Sequence, residues 1–139
     1  MYILPAEKMA KFTAHGNIYG KAEIAGDERC SRYAHIFFGG ILDSSLNADV
    51  SPEFILGSVM AHEAGHLLLG SNSHSRTGLM QSIWDGSHLQ DMARRTPGFA
   101  DAESRQLRSR LAERIRLDQT DEGNSDSYAC TTNSPGSQH

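Results

Sequence analysis

The stretch SPEFILGSVMAHEAGHLLLG, residues 51–70, decides how the rest of the chain is read. Ser51 offers a side-chain acceptor for the first free N–H groups of a helix. Pro52 takes the first helical position, where its missing donor costs nothing, and Glu53 meets the positive end of the helix dipole. The pattern predicts a helix running to about Leu69, with Gly70 supplying the left-handed residue that ends it and Ser71, Asn72 and Ser73 continuing as loop. Phe54, Ile55, Leu56, Val59, Met60, Leu67, Leu68 and Leu69 point in nearly every direction around such a helix. A rod apolar on all sides is expected to be buried, and its few polar residues then need partners.

Those polar residues are His62, Glu63 and His66, an HExxH spacing. Residues four apart on a helix share a face, so two imidazoles can grip one ion. Zinc favours nitrogen ligands at about 2.0–2.1 Å, and its catalytic sites keep three protein ligands and a water. Glu63, rotated about 100° from His62, reaches that water rather than the metal. Left without a metal, two histidines and a glutamate in an apolar helix would each lack roughly 1–3 kcal/mol of hydrogen bonding unless the core satisfied them, with Glu63 in an ion pair.

Downstream, HLLLGSNSHS (66–75) and Gly78-Leu79-Met80 together resemble the elongated motif and Met-turn of the metzincin zinc peptidases. The resemblance implies a zincin-like catalytic domain in which His62, His66 and His74 hold zinc. It also implies that Glu63 is the general base for peptide-bond hydrolysis, in an enzyme of endopeptidase type, and that Met80 is the floor beneath the ion. Gly70 stands one position later and His74 two positions later than the family pattern, with Asn72 where the family places its third histidine, so a longer turn is implied. The resemblance spans about His62 to Trp84. A gluzincin arrangement, with Glu103 or Glu113 as third ligand, is the alternative ligand set. A noncatalytic domain merely stabilised by zinc is the alternative function.

Outward from this centre, Tyr33 to Leu42 (YAHIFFGGIL) reads as a strand, with a bulge at Gly39-Gly40 and turn chemistry at Asp43, Ser44 and Ser45. Its exposed edge is a candidate dock for an extended peptide. Residues 1–30 mix the short apolar pairs Ile3-Leu4 and Ile18-Tyr19 with Gly16, Gly20 and Gly26, which suggests short strands or turns. From Asp101 to about Leu117, Leu107, Leu111 and Ile115 fall four apart and predict an amphipathic packing helix. The fold class expected is α+β, zincin-like: a small mixed sheet on a central zinc-binding helix, with a C-terminal packing helix. Residues 1–118 form the domain, and 119–139 read as a disordered polar tail.

The remaining candidates are weaker. His35, His88, Tyr33 and Arg76 have the chemistry to stabilise an oxyanion, although lone histidines are more often packed or solvated. Asp85 is a candidate to orient a ligand, and Cys30 to cap the zinc, but a solvated carboxylate and an ordinary free cysteine are the plainer readings. With 139 residues, 38% hydrophobic content and a formal net charge of −4, the chain holds one core, and nucleic acid or anionic membrane is not an expected partner. The arginines from 94 to 116 are interrupted by acids and read as a solvated face. Two cysteines a hundred positions apart define no disulfide framework. No apolar run approaches a spanning helix and the N-terminus shows no secretory pattern, so the cytoplasm is the default expectation, with export left open if an upstream segment exists.

Overall fold

A computed structural model of the chain describes residues 1–4, 19–24 and 33–121. They form a small mixed α+β fold, in the order β1 (Tyr2–Leu4), β2 (Gly20–Glu23), β3 (Tyr33–Phe37), α1 (Phe38–Ala48), α2 (Pro52–Leu69), α3 (Gly86–Arg94) and α4 (Asp101–Asp121). Cys30, Cys130 and residues 122–139 of the expected tail lie outside the described residues, while 119–121 continue α4.

The central helix begins and ends where its local chemistry directs. The Ser51 hydroxyl accepts from the Phe54 N–H at 3.2 Å, and Pro52 opens the helix. Gly70, at φ 64°, closes it with its N–H on the His66 carbonyl at 2.9 Å. Burial of the whole circumference is not what forms. Ile55, Ser58, Val59, His62, Glu63, Gly65, His66 and Leu69 are buried, whereas Glu53, Gly57 and Met60 are exposed. Sheet, α1 and α4 cover α2 on three sides, and spacings of four and three residues put Glu53, Gly57 and Met60 along the strip left open.

The three-stranded sheet has the order β1-β3-β2, with β1 parallel and β2 antiparallel to β3. The strand expected at Tyr33 to Leu42 stops at Phe37, and Gly39-Gly40 fall inside α1 rather than at a bulge. Two helical glycines cost about 1 kcal/mol each. Against that, Ile41, Ser44 and Ala48 form one buried face of α1, packed on α2. Asp43 lies within the helix, the Ser44 hydroxyl meets the Tyr19 hydroxyl at 2.9 Å, and the Ser45 hydroxyl donates to the Val50 carbonyl at 2.7 Å. Serines read as turn formers thus bond to neighbouring segments. Because β3 is central, both its edges are occupied, and it cannot accept a peptide as an added strand; among the described residues the outer strands of the sheet are β1 and β2.

Tyr19, Ile36, Ile41, Val50, Ile55, Val59, Leu79, Trp84, Leu89 and Met92 make the core between these layers. The expected stripe on α4 is only partly used: Leu107 is half-buried, but Leu111 and Ile115 are 48% and 50% exposed. Further along α4, Arg114 donates to the Leu67 carbonyl at 3.2 Å, satisfying an acceptor in the last turn of α2. Among the described residues, no helix is long and apolar enough to cross a membrane.

Gly65 lets the loop after α2 close on the helix. A Cβ there would stand 2.6 Å from Met80 Sδ and 2.8 Å from Phe99 Cε1. Gly65→Ala is therefore expected to overpack this contact and lower stability by about 1–3 kcal/mol, read as a fall in melting temperature; an unchanged melting temperature would show that Met80 and Phe99 do not press on the helix.

Candidate metal centre

Helix α2 projects His62 and His66 from one face, and the chain beyond Gly70 returns His74 to meet them. One nitrogen from each lies within 4.8 Å of the others, close enough to hold a metal ion. The rings of His62 and His66 meet edge-on with centroids 4.6 Å apart, while His74 stacks on His62 at 5.3 Å and meets His66 edge-on at 4.8 Å. His62 and His66 are buried and His74 is exposed, so the cluster opens to solvent on one side.

Hydrogen bonds set the tautomers. His62 Nδ1 lies 2.7 Å from the Leu79 carbonyl oxygen and His66 Nδ1 lies 2.8 Å from that of Ser71. A carbonyl only accepts, so each Nδ1 carries the proton, and each neutral ring presents a bare lone pair at Nε2. Those two Nε2 atoms face one another at 3.0 Å. Neither can donate to the other, and a cation placed against both lone pairs would relieve their opposition. Two nitrogens on a tetrahedral zinc stand about 3.3 Å apart, close to this spacing. Protonation is disfavoured as the remedy: burial, first among the causes, brings His62 down to about 4 and also lowers His66.

The turn at 78–81 ties the site together. Gly78 adopts φ +80°, where its missing side chain also clears the Gly98 carbonyl, and the Gln81 N–H closes the turn on the Gly78 carbonyl at 3.2 Å. Leu79 then turns its carbonyl to His62, and fully buried Met80 lies against Gly65. The Met80 carbonyl accepts from the Ser75 N–H at 2.9 Å, so the turn also anchors the residue that follows His74.

Glu63 is buried beside the histidines, and its carboxyl is raised to about 7, chiefly by desolvation, with an opposing hydrogen bond from the Ala22 N–H. Its Oε2 has no hydrogen-bond partner among the described residues. It lines a cleft of about 330 Å³, bounded by Tyr19, Gly20, Lys21 and Ala22 on one wall and by Asn72, His74, Gln81, Ser82 and Trp84 on another. Trp84 stands edge-on to His62 at 5.5 Å and donates its indole N–H to the Gln81 carbonyl at 3.0 Å.

Several sequence candidates lie elsewhere. Glu103 Oε2 accepts from the Ala100 N–H at 2.8 Å at the start of its own helix, and neither it nor exposed Glu113 belongs to the cluster. Asp85 caps α3, accepting from the His88 N–H at 2.8 Å and the Ser87 hydroxyl at 2.7 Å. Those bonds, Ser87 first, lower its pKa. Tyr33 and His35 pack with Tyr2 on the sheet, and neither they nor Arg76 nor His88 line the cleft. The sequence reading missed the β2 wall and the carbonyls of Leu79 and Ser71. A backbone acceptor leaves no mark in residue type, and Tyr19-Gly20 had only a weak pattern.

Comparison with known proteins finds no matching family model, no matching curated protein and no matching solved structure.

His62→Ala and His66→Ala are each expected to abolish metal binding and His74→Ala to weaken it, by roughly 10-fold or more, while Glu103→Ala retains it, read by metal content after gel filtration; loss in the Glu103 variant alone would identify a different ligand set. The raised Glu63 pKa also has a pH consequence. Its contribution to stability is complete below the unfolded value of about 4.5 and is lost as pH rises through about 7. In chelator-treated protein, Glu63→Gln should then melt higher than wild type above pH 7 and about equally near pH 4.5; no advantage at high pH would contradict this.

Proposed function

We propose that the chain is a zinc-dependent metallopeptidase of zincin-like fold, with His62, His66 and His74 as ligands and Glu63 as general base. The observation that carries the reading is the pair of bare Nε2 atoms at 3.0 Å beside a buried carboxylate on an open cleft. Three nitrogens of this kind suit zinc, which when bound supplies a Lewis acid and lowers the pKa of a coordinated water towards neutrality.

The protein's own groups would divide the remaining work. Glu63, one position along the helix from His62, takes the proton of the attacking water and later gives it to the leaving amine. Its desolvated carboxyl suits that exchange, being neither a strong acid nor, among the described residues, locked in an ion pair. The Leu79 and Ser71 carbonyls keep both helix histidines turned inward and raise their basicity as ligands. Met80 forms part of the floor against Gly65. The edge of β2 not paired with β3, which lines the cleft at Gly20 and Ala22, replaces β3 as the place where an extended peptide substrate would lie, pairing through main-chain groups other than the Ala22 N–H that Glu63 takes.

A noncatalytic, zinc-stabilised domain is less well supported. Structural zinc sites are closed by four protein ligands. Among the described residues three side chains converge, one of them exposed, beside a cleft that reaches Glu63. The zinc-loaded wild type is expected to cleave an unstructured protein such as reduced casein. Glu63→Gln should keep its metal and lose activity by about 10²–10⁴-fold; a fully loaded wild type that cleaves no peptide, or a Gln variant that cleaves as well, would reject the proposal.

A further inference from the structure

The wall of the cleft opposite the histidines is a strand whose hydrogen-bonding phase can be assigned. The Phe37 N–H donates to the Tyr19 carbonyl at 2.8 Å, and the register pairs Gly20 with Ile36, Lys21 with His35 and Ala22 with Ala34. Main-chain groups in an antiparallel ladder alternate between the partner strand and the free edge. Tyr19, Lys21 and Glu23 therefore spend theirs on β3, and Gly20 and Ala22 turn theirs towards the cleft. One of these outward groups, the Ala22 N–H, is already bonded to the Glu63 carboxylate.

Gly20 sits against the same carboxylate. A Cβ at this position would stand 2.5 Å from Glu63 Oε1 and 2.8 Å from both Cδ and Cγ. The glycine is not there for its backbone freedom, since Gly20 is not among the residues of positive φ. What it provides is space, and the space is filled by the end of one side chain.

We propose that Gly20 is a positioning residue for Glu63: with the Ala22 N–H it forms a glycine-floored slot on the edge of β2 that holds the carboxylate at the cleft. The proposal rests on the reading of Glu63 as general base. Any side chain at position 20 meets a flexible carboxylate rather than backbone, so the fold yields by moving Glu63 and the main chain stays in place. A displaced carboxylate loses the Ala22 N–H and its alignment with the reacting water. Such misplacement by about 1 Å can cost on the order of 10²-fold in rate.

The test compares zinc-loaded wild type, Gly20→Ala, Glu63→Ala and the double variant. Gly20→Ala should keep its zinc and melting temperature, lower kcat on the order of 10²-fold and change KM less than about twofold. In the Glu63→Ala background the same substitution should change the residual kcat by less than about twofold, because that side chain ends at Cβ and lacks the Cγ, Cδ and Oε1 that the new methyl would meet. An unaffected kcat, an effect confined to KM, or equal losses in both backgrounds would overturn the proposal; the KM result would instead mark close approach of substrate to Gly20. A second readout needs no turnover. The Ala22 amide proton resonance should move upfield in Gly20→Ala as it does in Glu63→Ala, and an Ala22 resonance indifferent to Gly20→Ala refutes the slot. Response of that amide in a wild type that cleaves nothing would support the slot and count against the peptidase reading.

Discussion

The site depends on two hydrogen bonds made on the far sides of two rings. By committing the Nδ1 protons of His62 and His66 to the carbonyls of Leu79 and Ser71, the backbone leaves two nitrogen lone pairs confronting each other at 3.0 Å. In a buried setting that confrontation is unfavourable, and protonating either ring would cost desolvation of the charge. A divalent cation would resolve it by accepting both lone pairs. The carbonyls thus favour a cation even though neither would touch one.

Much of the remaining structure serves to bring those carbonyls and the third histidine into place. Gly70 turns the chain off α2, and Ser71 immediately reaches back to His66. Gly78 makes the tight turn that aims Leu79 at His62, and Gly65 lets Met80 settle against the helix. The bond between Ser75 and Met80 joins the two loops, so His74 is placed by the same turn that orients His62. Across the cleft, β2 meets Glu63 through the edge not paired with β3, while β3 is shielded in the middle of the sheet.

How legible each part was in the sequence follows from how local its determinants are. The limits of α2 could be read from Ser51, Pro52 and Gly70 because capping is settled within a few residues. The sharing of one face by His62 and His66 follows from helix geometry alone. The strand expected across Gly39 and Gly40 failed because long-range packing of Ile41, Ser44 and Ala48 outweighed the local preference of glycine and serine for turns. The central position of β3 rests on pairing with segments far away in sequence, which alternation cannot reveal. Glu103 offered the right chemical type as a ligand, yet its carboxylate is engaged with the start of its own helix. Gly20 looked like a turn residue, and only the approach of Glu63 exposes its use.

Binding of a cation by these imidazole nitrogens is measured directly by X-ray absorption at the zinc K-edge. Protein purified without chelator is expected to contain about one zinc per chain, with imidazole scattering from three rings and metal–nitrogen distances of about 2.0–2.1 Å. A folded protein without bound metal that ignores added zinc, or a zinc spectrum dominated by sulfur at about 2.3 Å, would contradict it.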